Sequence, residues 1–229
     1  QESLVDVLYS VGMNTWQDRK EVQLIVKGLT PSREEEPEAI ERIKRPEIVD
    51  SRGWRELGRP QPLREEAIYF YEGPPLRDFP RETRHRYCID KAPSLVLLSC
   101  PPSPQVLGNL LDLAQPEELV LAYSPREVLD AKTLIARTMA YIKFIVEKRD
   151  GKSHVEDMAV SLGQGDLLLM ELVGFLERLG VLAVEREGFG QLAFKIKAGG
   201  RVKGPVPTSL LDLLEETNAY RRYMYECRD

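Results

Sequence analysis

Hydrophobic residues recur along this chain with two periods, and the switches between them divide it into elements. Val5, Val7, Tyr9 and Val11 alternate with other neighbours, which predicts a strand from Leu4 to Gly12, and Val22 to Leu29 answers it as a second strand. Apolar runs at Ile48–Asp50, Ala67–Tyr71, Leu95–Ser99 and Leu119–Tyr123 are short and bounded by polar, proline or glycine segments, as buried strands are. Leu95-Val96-Leu97-Leu98 has no polar alternation, so that strand should be covered on both faces. A helix from Pro104 to Leu113 separates it from Leu119–Tyr123, and strand, helix, strand at this spacing predicts a βαβ unit with a parallel sheet.

From Thr133 the period lengthens to that of a helix. Leu134, Ile135, Met139, Ile142, Ile145 and Val146 make one apolar stripe that ends at the Asp150-Gly151 turn. Ser153 followed by Glu156 has the form of a capping box and opens a second helix to Leu162. After Gly163-Gln164-Gly165, Asp166 is placed to cap a third helix, whose stripe of Leu169, Leu172, Val173, Leu176 and Leu179 is closed by Gly180. Leu182 and Val184, then Leu192, Phe194 and Ile196, alternate on either side of a Gly-containing loop at Glu187–Gly190 and predict a hairpin. Three helices and a hairpin form a winged-helix pattern. Beyond Pro205, Ser209 is a candidate cap for a tail helix carrying Leu210, Leu211, Leu213 and Leu214, which should pack back on the domain. The fold class expected is mixed α/β: a β-hairpin at 1–32, a charged linker at 33–46, a small parallel α/β domain at 47–125, and a winged-helix-like domain with a C-terminal helix at 126–229.

Composition narrows the function. A chain of 229 residues with net charge −5 and 30% charged residues is acidic, so any contact with a polyanion must come from a local patch. Its three cysteines, Cys88, Cys100 and Cys227, form no CxxC pair, which argues against a disulfide framework or zinc site and for a reducing cytoplasm. No apolar run approaches the roughly 20 residues that span a bilayer, so no membrane role is expected. The chain begins at Gln1, almost directly in a strand, as a piece of a longer protein would.

The placement of charge matters more than its sum. The third predicted helix offers Arg178 alone against Asp166, Glu171 and Glu177, which favours packing or protein contact over reading a major groove. Cations meet aromatics in two other places. The predicted hairpin loop Met13–Lys20 sets Trp16 beside Arg19 and Lys20, the combination that single-strand binders use to stack bases and follow phosphates; a tryptophan covering the end of a small barrel would leave the same trace. Arg52, Arg55, Arg59, Arg64, Arg77, Arg81, Arg84 and Arg86 then interleave with Trp54, Tyr69, Tyr71, His85 and Tyr87. Glu56, Glu65, Glu66, Glu72, Asp78 and Glu82 dilute this segment, and a mixed solvated surface is the competing reading. The turn Cys100-Pro101-Pro102-Ser103-Pro104 lies where open α/β sheets bind ligands, yet its prolines lack the amides that cradle phosphate, and Cys100 reads as a buried apolar thiol.

The run VGMNTWQDRKEVQLIVKGL resembles the hairpin of the oligonucleotide-binding (OB) domain in the RecJ family of bacterial single-strand-specific 5′→3′ DNA exonucleases. Ile48-Val49-Asp50-Ser51-Arg52-Gly53 is similar to the strand end that follows it in longer members, and LVLLSCPPSPQVLGNLL with the helical tail from Arg126 resembles their C-terminal extension. The resemblance implies that the hairpin is the remnant of an OB barrel and that the chain is a non-catalytic accessory region serving DNA repair and recombination. The family's aspartate-rich DHH metal site falls on none of these residues, so no catalytic residue, metal ligand or cofactor is expected here, although the parent enzyme would use Mg or Mn. The implied partner is single-stranded DNA, or a protein such as a single-strand-binding protein or another repair protein. The candidate nucleic-acid-binding residues are Trp16, Arg19, Lys20, Arg52 and Arg55. Two other readings stay open: a winged-helix regulator that binds duplex DNA, and a protein-interaction module with no nucleic-acid role.

Overall fold

The computed structural model describes residues 5–16, 19–31, 45–54, 62–76, 79–124, 128–197 and 204–227. The chain divides into two compact units, Gln1–Lys44 and Arg45–Asp229. In the first, β1 (Val5–Trp16) pairs antiparallel with β2 (Arg19–Pro31) in register from Val5 opposite Pro31 to Trp16 opposite Arg19, with one slip between Leu8 and Tyr9. The polar loop expected over Met13–Lys20 is therefore mostly ladder: Met13 faces Val22 and Thr15 faces Lys20. Cross-strand hydrogen bonding carries the pairing past the point where apolar alternation ends. Most of the linker at 33–46 lies outside the described residues.

The second unit opens on the parallel sheet. Its strands β3 (Glu47–Asp50), β4 (Ala67–Phe70), β5 (Ser94–Leu97) and β6 (Glu118–Leu121) run in the order β3-β6-β5-β4, all parallel. Between β5 and β6 runs α1 (Pro104–Ala114), whose first-turn proline needs no amide partner and whose N-cap Ser103 accepts from Val106 N at 3.3 Å. The absence of polar alternation in β5 has the expected cause. Phe70, Leu95, Leu97, Leu119 and Leu121 pack on Leu110 and Ala114 of α1, while Tyr69, Val96, Leu98, Val120 and Ala122 pack on Trp54 behind the sheet. Each fully buried leucine contributes about 1.5 to 3 kcal/mol from removal of apolar surface from water. Cys100, just past β5, is buried in the first of these layers.

The remaining elements are α2 (Ala131–Lys148), β7 (Lys152–His154), α3 (Val155–Leu162), α4 (Asp166–Arg178), β8 (Leu182–Arg186), β9 (Gln191–Ile196) and α5 (Thr208–Glu226). The three strands form an antiparallel sheet in the order β7-β9-β8. Leu134, Ile142 and Ile145 of α2, Leu168, Leu169, Leu172 and Leu176 of α4 and Leu210 and Leu214 of α5 share one core. Three expected caps are corrected. Ser153 lies in β7, where its hydroxyl shares a hydrogen bond with Tyr141 at 3.0 Å, and α3 begins two residues later with no side-chain cap. Asp166 is the first residue of α4, behind N-cap Gly165, and Ser209 lies inside α5, donating to Glu171 at 2.9 Å. In each case a tertiary partner outbids the local backbone amide.

Alpha-5 ties the two halves of this unit together. Asn218 accepts from Leu129 N and donates to Leu129 O, Arg221 donates to Gly163 O, and Tyr123 donates to Met224 O at 2.7 Å. Burial pushes the Tyr123 phenol well above its ordinary pKa, which keeps that donor protonated.

Candidate functional site

The sequence-predicted site residues meet different fates. Backbone register sets Trp16 opposite Arg19 and Thr15 opposite Lys20 at the closed end of the hairpin. Arg55 lies outside the described residues. Arg52 is committed to the fold: it is buried, grips Asp50 through Nε and Nη2 at 2.8 Å each, and donates through Nη1 to Met224 O at 2.5 Å and Tyr225 O at 2.8 Å. Four of the five guanidinium N–H donors are thus committed to Asp50 and to the last turn of α5, which makes Arg52 a fastener of the fold.

The arginine-rich segment divides in the same way. Arg64 holds Glu118 through Nε at 2.7 Å, and that hydrogen bond keeps the Glu118 carboxyl below the usual carboxylate range. Arg86 grips the buried Glu72 and also reaches Gln164 O and Asp166, which binds the segment after β4 to the start of α4. Burial works against the Arg86 charge, but the hydrogen bond and charge of Glu72 outweigh it and hold the guanidinium above its ordinary pKa. Arg81 and Arg84 have another role, on the wall of a groove.

That groove has a volume of about 860 Å³ and lies between the segment leaving β4 and the helices α2 and α3. On the β4 side, Arg84 is fixed by its backbone: Arg84 N donates to Tyr69 O at 2.8 Å and Tyr71 N to Arg84 O at 2.9 Å, which extends the sheet edge by one bridge. Tyr71 and Phe79 stand beside it, and Phe79 meets Tyr69 edge to face at 5.3 Å. On the opposite wall, Arg137, Tyr141 and Phe144 stand at i, i+4 and i+7 on α2 and so share one helical face, with Arg149 following at the C-cap. The Arg149 guanidinium lies 5.7 Å from the centre of the Phe144 ring. The walls are joined across the groove, because Gly73 N donates to Val160 O at 2.8 Å. His85 also lines the groove, and its buried Nδ1 has no hydrogen-bond partner among the described residues.

The lining thus holds four arginines, four tyrosines or phenylalanines and, among the described residues, no aspartate or glutamate. Guanidinium groups meet phosphates and carboxylates in planar pairs, and open ring faces accept stacked bases. No group of three His, Cys, Asp or Glu that could hold a metal ion occurs among the described residues, and no single helix there is long and apolar enough to cross a membrane. No protein-family model matches the chain, and neither a curated protein nor a solved structure matches it.

Sequence reasoning reached Arg81, Arg84, His85 and Tyr71 as part of the arginine-rich segment and missed Arg137, Tyr141, Phe144 and Arg149. The signal was present. Phe144 is a large aromatic on the polar face of an amphipathic helix, with Arg137 two turns before it on the same face and Arg149 five residues after it.

Proposed function

We propose that this chain is the non-catalytic C-terminal accessory region of a RecJ-type 5′→3′ single-strand-specific exonuclease, and that it helps the enzyme hold single-stranded DNA. The observation that carries the reading is the groove: an acidic chain of net charge −5 gathers four arginines and four aromatic rings on one concave lining free of described carboxylates. A solvated surface mixes its charge signs; a polyanion site separates them. The hairpin residues Trp16, Arg19 and Lys20 belong to the same reading as a second contact, on the resemblance to an OB domain.

Strand, helix and sheet order from α2 to β9 suits a winged helix used for packing rather than for reading duplex DNA. Its third helix, α4, buries Leu168, Leu169, Leu172, Val173, Phe175 and Leu176, and α5 packs on it. A helix covered on that scale has no face to lay in a major groove. The hairpin that would serve as a wing spends Arg186 and Lys195 on Glu177 and Glu185, and its Glu187 is taken by Lys152 of β7.

The test is fluorescence anisotropy of the whole chain with a labelled oligothymidine and with a duplex of equal length. The single strand should bind more tightly and should weaken with added salt. Equal affinity for both, or selection of a defined duplex sequence, would replace this reading with that of a regulator.

A further inference from the structure

We infer that the groove between α2 and the segment following β4 is a preformed clamp for a short single-stranded stretch, gripping about four phosphates with Phe144 as the stacking platform. This rests on the single-strand reading above and names the site within it. Two banks of charge face one another across the groove, Arg81 and Arg84 on one side and Arg137 and Arg149 on the other; all four are exposed, and the ion pair of Arg84 with the exposed Glu82 at 3.6 Å is one that a phosphate can replace. Phe144 is 48% exposed, a large ring that the core does not use, with the Arg149 guanidinium beside it. An exposed ring paired with an arginine is the arrangement on which bases stack without regard to sequence.

Shape decides between one strand and two. The site is a concave pocket of about 860 Å³, the size class of small-ligand sites, whereas duplex DNA is read by elements that protrude into its grooves. A duplex presents phosphates at fixed spacing and hides its base faces; a single strand turns its bases outward and bends into a pocket. The Gly73 to Val160 hydrogen bond and the buried Glu72–Arg86 pair hold the walls before binding, so little ordering cost is left for the encounter.

Four phosphate contacts on a single strand predict a slope of about −3 for log K against log salt concentration. Titrating the whole chain into labelled oligothymidine over a sodium chloride series should give that slope. Arg137→Ala should make it shallower by about 0.7. Phe144→Ala should lower affinity by about ten- to a hundredfold with little change in slope, because it removes a stacked ring and no charge. Both side chains are exposed, so the variants should keep the parent's circular dichroism and urea midpoint. Lys195→Ala, on β9 and off the groove, serves as a control for net charge.

The outcomes separate the site from the function. Single-strand binding that survives both groove variants and falls with Trp16→Ala would overturn the clamp and leave the accessory role standing on the hairpin. Absence of single-strand binding by the unmodified chain would overturn both. If a poly-glutamate peptide competes and the groove variants lose the peptide while keeping oligothymidine, the groove is a docking site for an acidic protein and the clamp is wrong.

Discussion

Arg52 separates two kinds of arginine in this chain. Exposed arginines can trade partners, but the Arg52 side chain is 7% exposed and joins Asp50 on β3 to two carbonyls at the end of α5. Hydrogen bonds from a charged group contribute about 1.5 to 3 kcal/mol, and Asp50 is half exposed, so its own carboxylate would be rehydrated if the arginine were removed. Arg52→Ala should therefore lower stability by about 2 to 3 kcal/mol in urea denaturation, while the folded protein keeps its affinity for oligothymidine. Arg52→Lys should recover part of the stability, since it keeps the charge and loses the planar fork. A variant that unfolds like the parent and binds the single strand less well would return Arg52 to the binding site. The residue looked like a phosphate contact because its sequence neighbours are basic and aromatic; what claims it is α5, more than 170 positions away.

At the level of elements, the four strands of the parallel sheet and the helices around them were legible, because each has the period its burial requires. Strand β7 was not. Three residues long, it has no period to read, and Ser153 ahead of Glu156 carried a convincing local signal for something else. What makes β7 a strand is its pairing with β9, where Lys152 faces Ala193 and His154 faces Gln191. The turn before it shows how tightly that pairing is held. Gly151 has φ +76°, and a Cβ there would stand 2.7 Å from Phe194 O on β9. Gly180 has φ +67° with open space around it. Both positions charge an alanine about 1 to 2 kcal/mol for the left-handed backbone. Only Gly151→Ala adds a clash with backbone that must move, so its loss of stability should exceed that of Gly180→Ala clearly, by urea titration of the two variants side by side. Equal losses would mean that the α2–β7 turn adjusts freely. The groove was only half legible for a related reason: Arg81 and Arg84 lie in a segment whose composition stands out, while Arg137 and Arg149 lie more than 50 residues on, in a helix whose apolar stripe drew the eye to its other face.

Over the whole molecule, carboxylates do two jobs, and acid should expose the difference. Among the described residues many carboxylates are exposed, while Glu118 and Glu177 join elements and are held below their ordinary pKa by hydrogen bonds. Glu118 is the central case. It opens β6, accepts from Arg64 at 2.7 and 3.1 Å and from Ser94 of β5 at 3.0 Å, and its carboxyl is kept low first by the Arg64 hydrogen bond. Glu177 is lowered in the same direction by Arg186, across α4 and β8, at a more exposed site. A carboxyl whose pKa is lower folded than unfolded binds fewer protons in the native state. Its contribution is thus fully present above the ordinary value of 4.5 and is lost as the pH falls from there through the folded value. Urea midpoints should stay level from neutrality down to the ordinary carboxylate range and decline below it. Glu118→Gln should cost about 1 kcal/mol at neutrality, the scale of a partly exposed pair, and should decline less steeply than the parent in acid because the neutral amide has no proton to gain. A parent curve that stays flat through the acid range, or a Glu118→Gln curve parallel to it, would show that the Arg64–Glu118 pair holds no part of the sheet together.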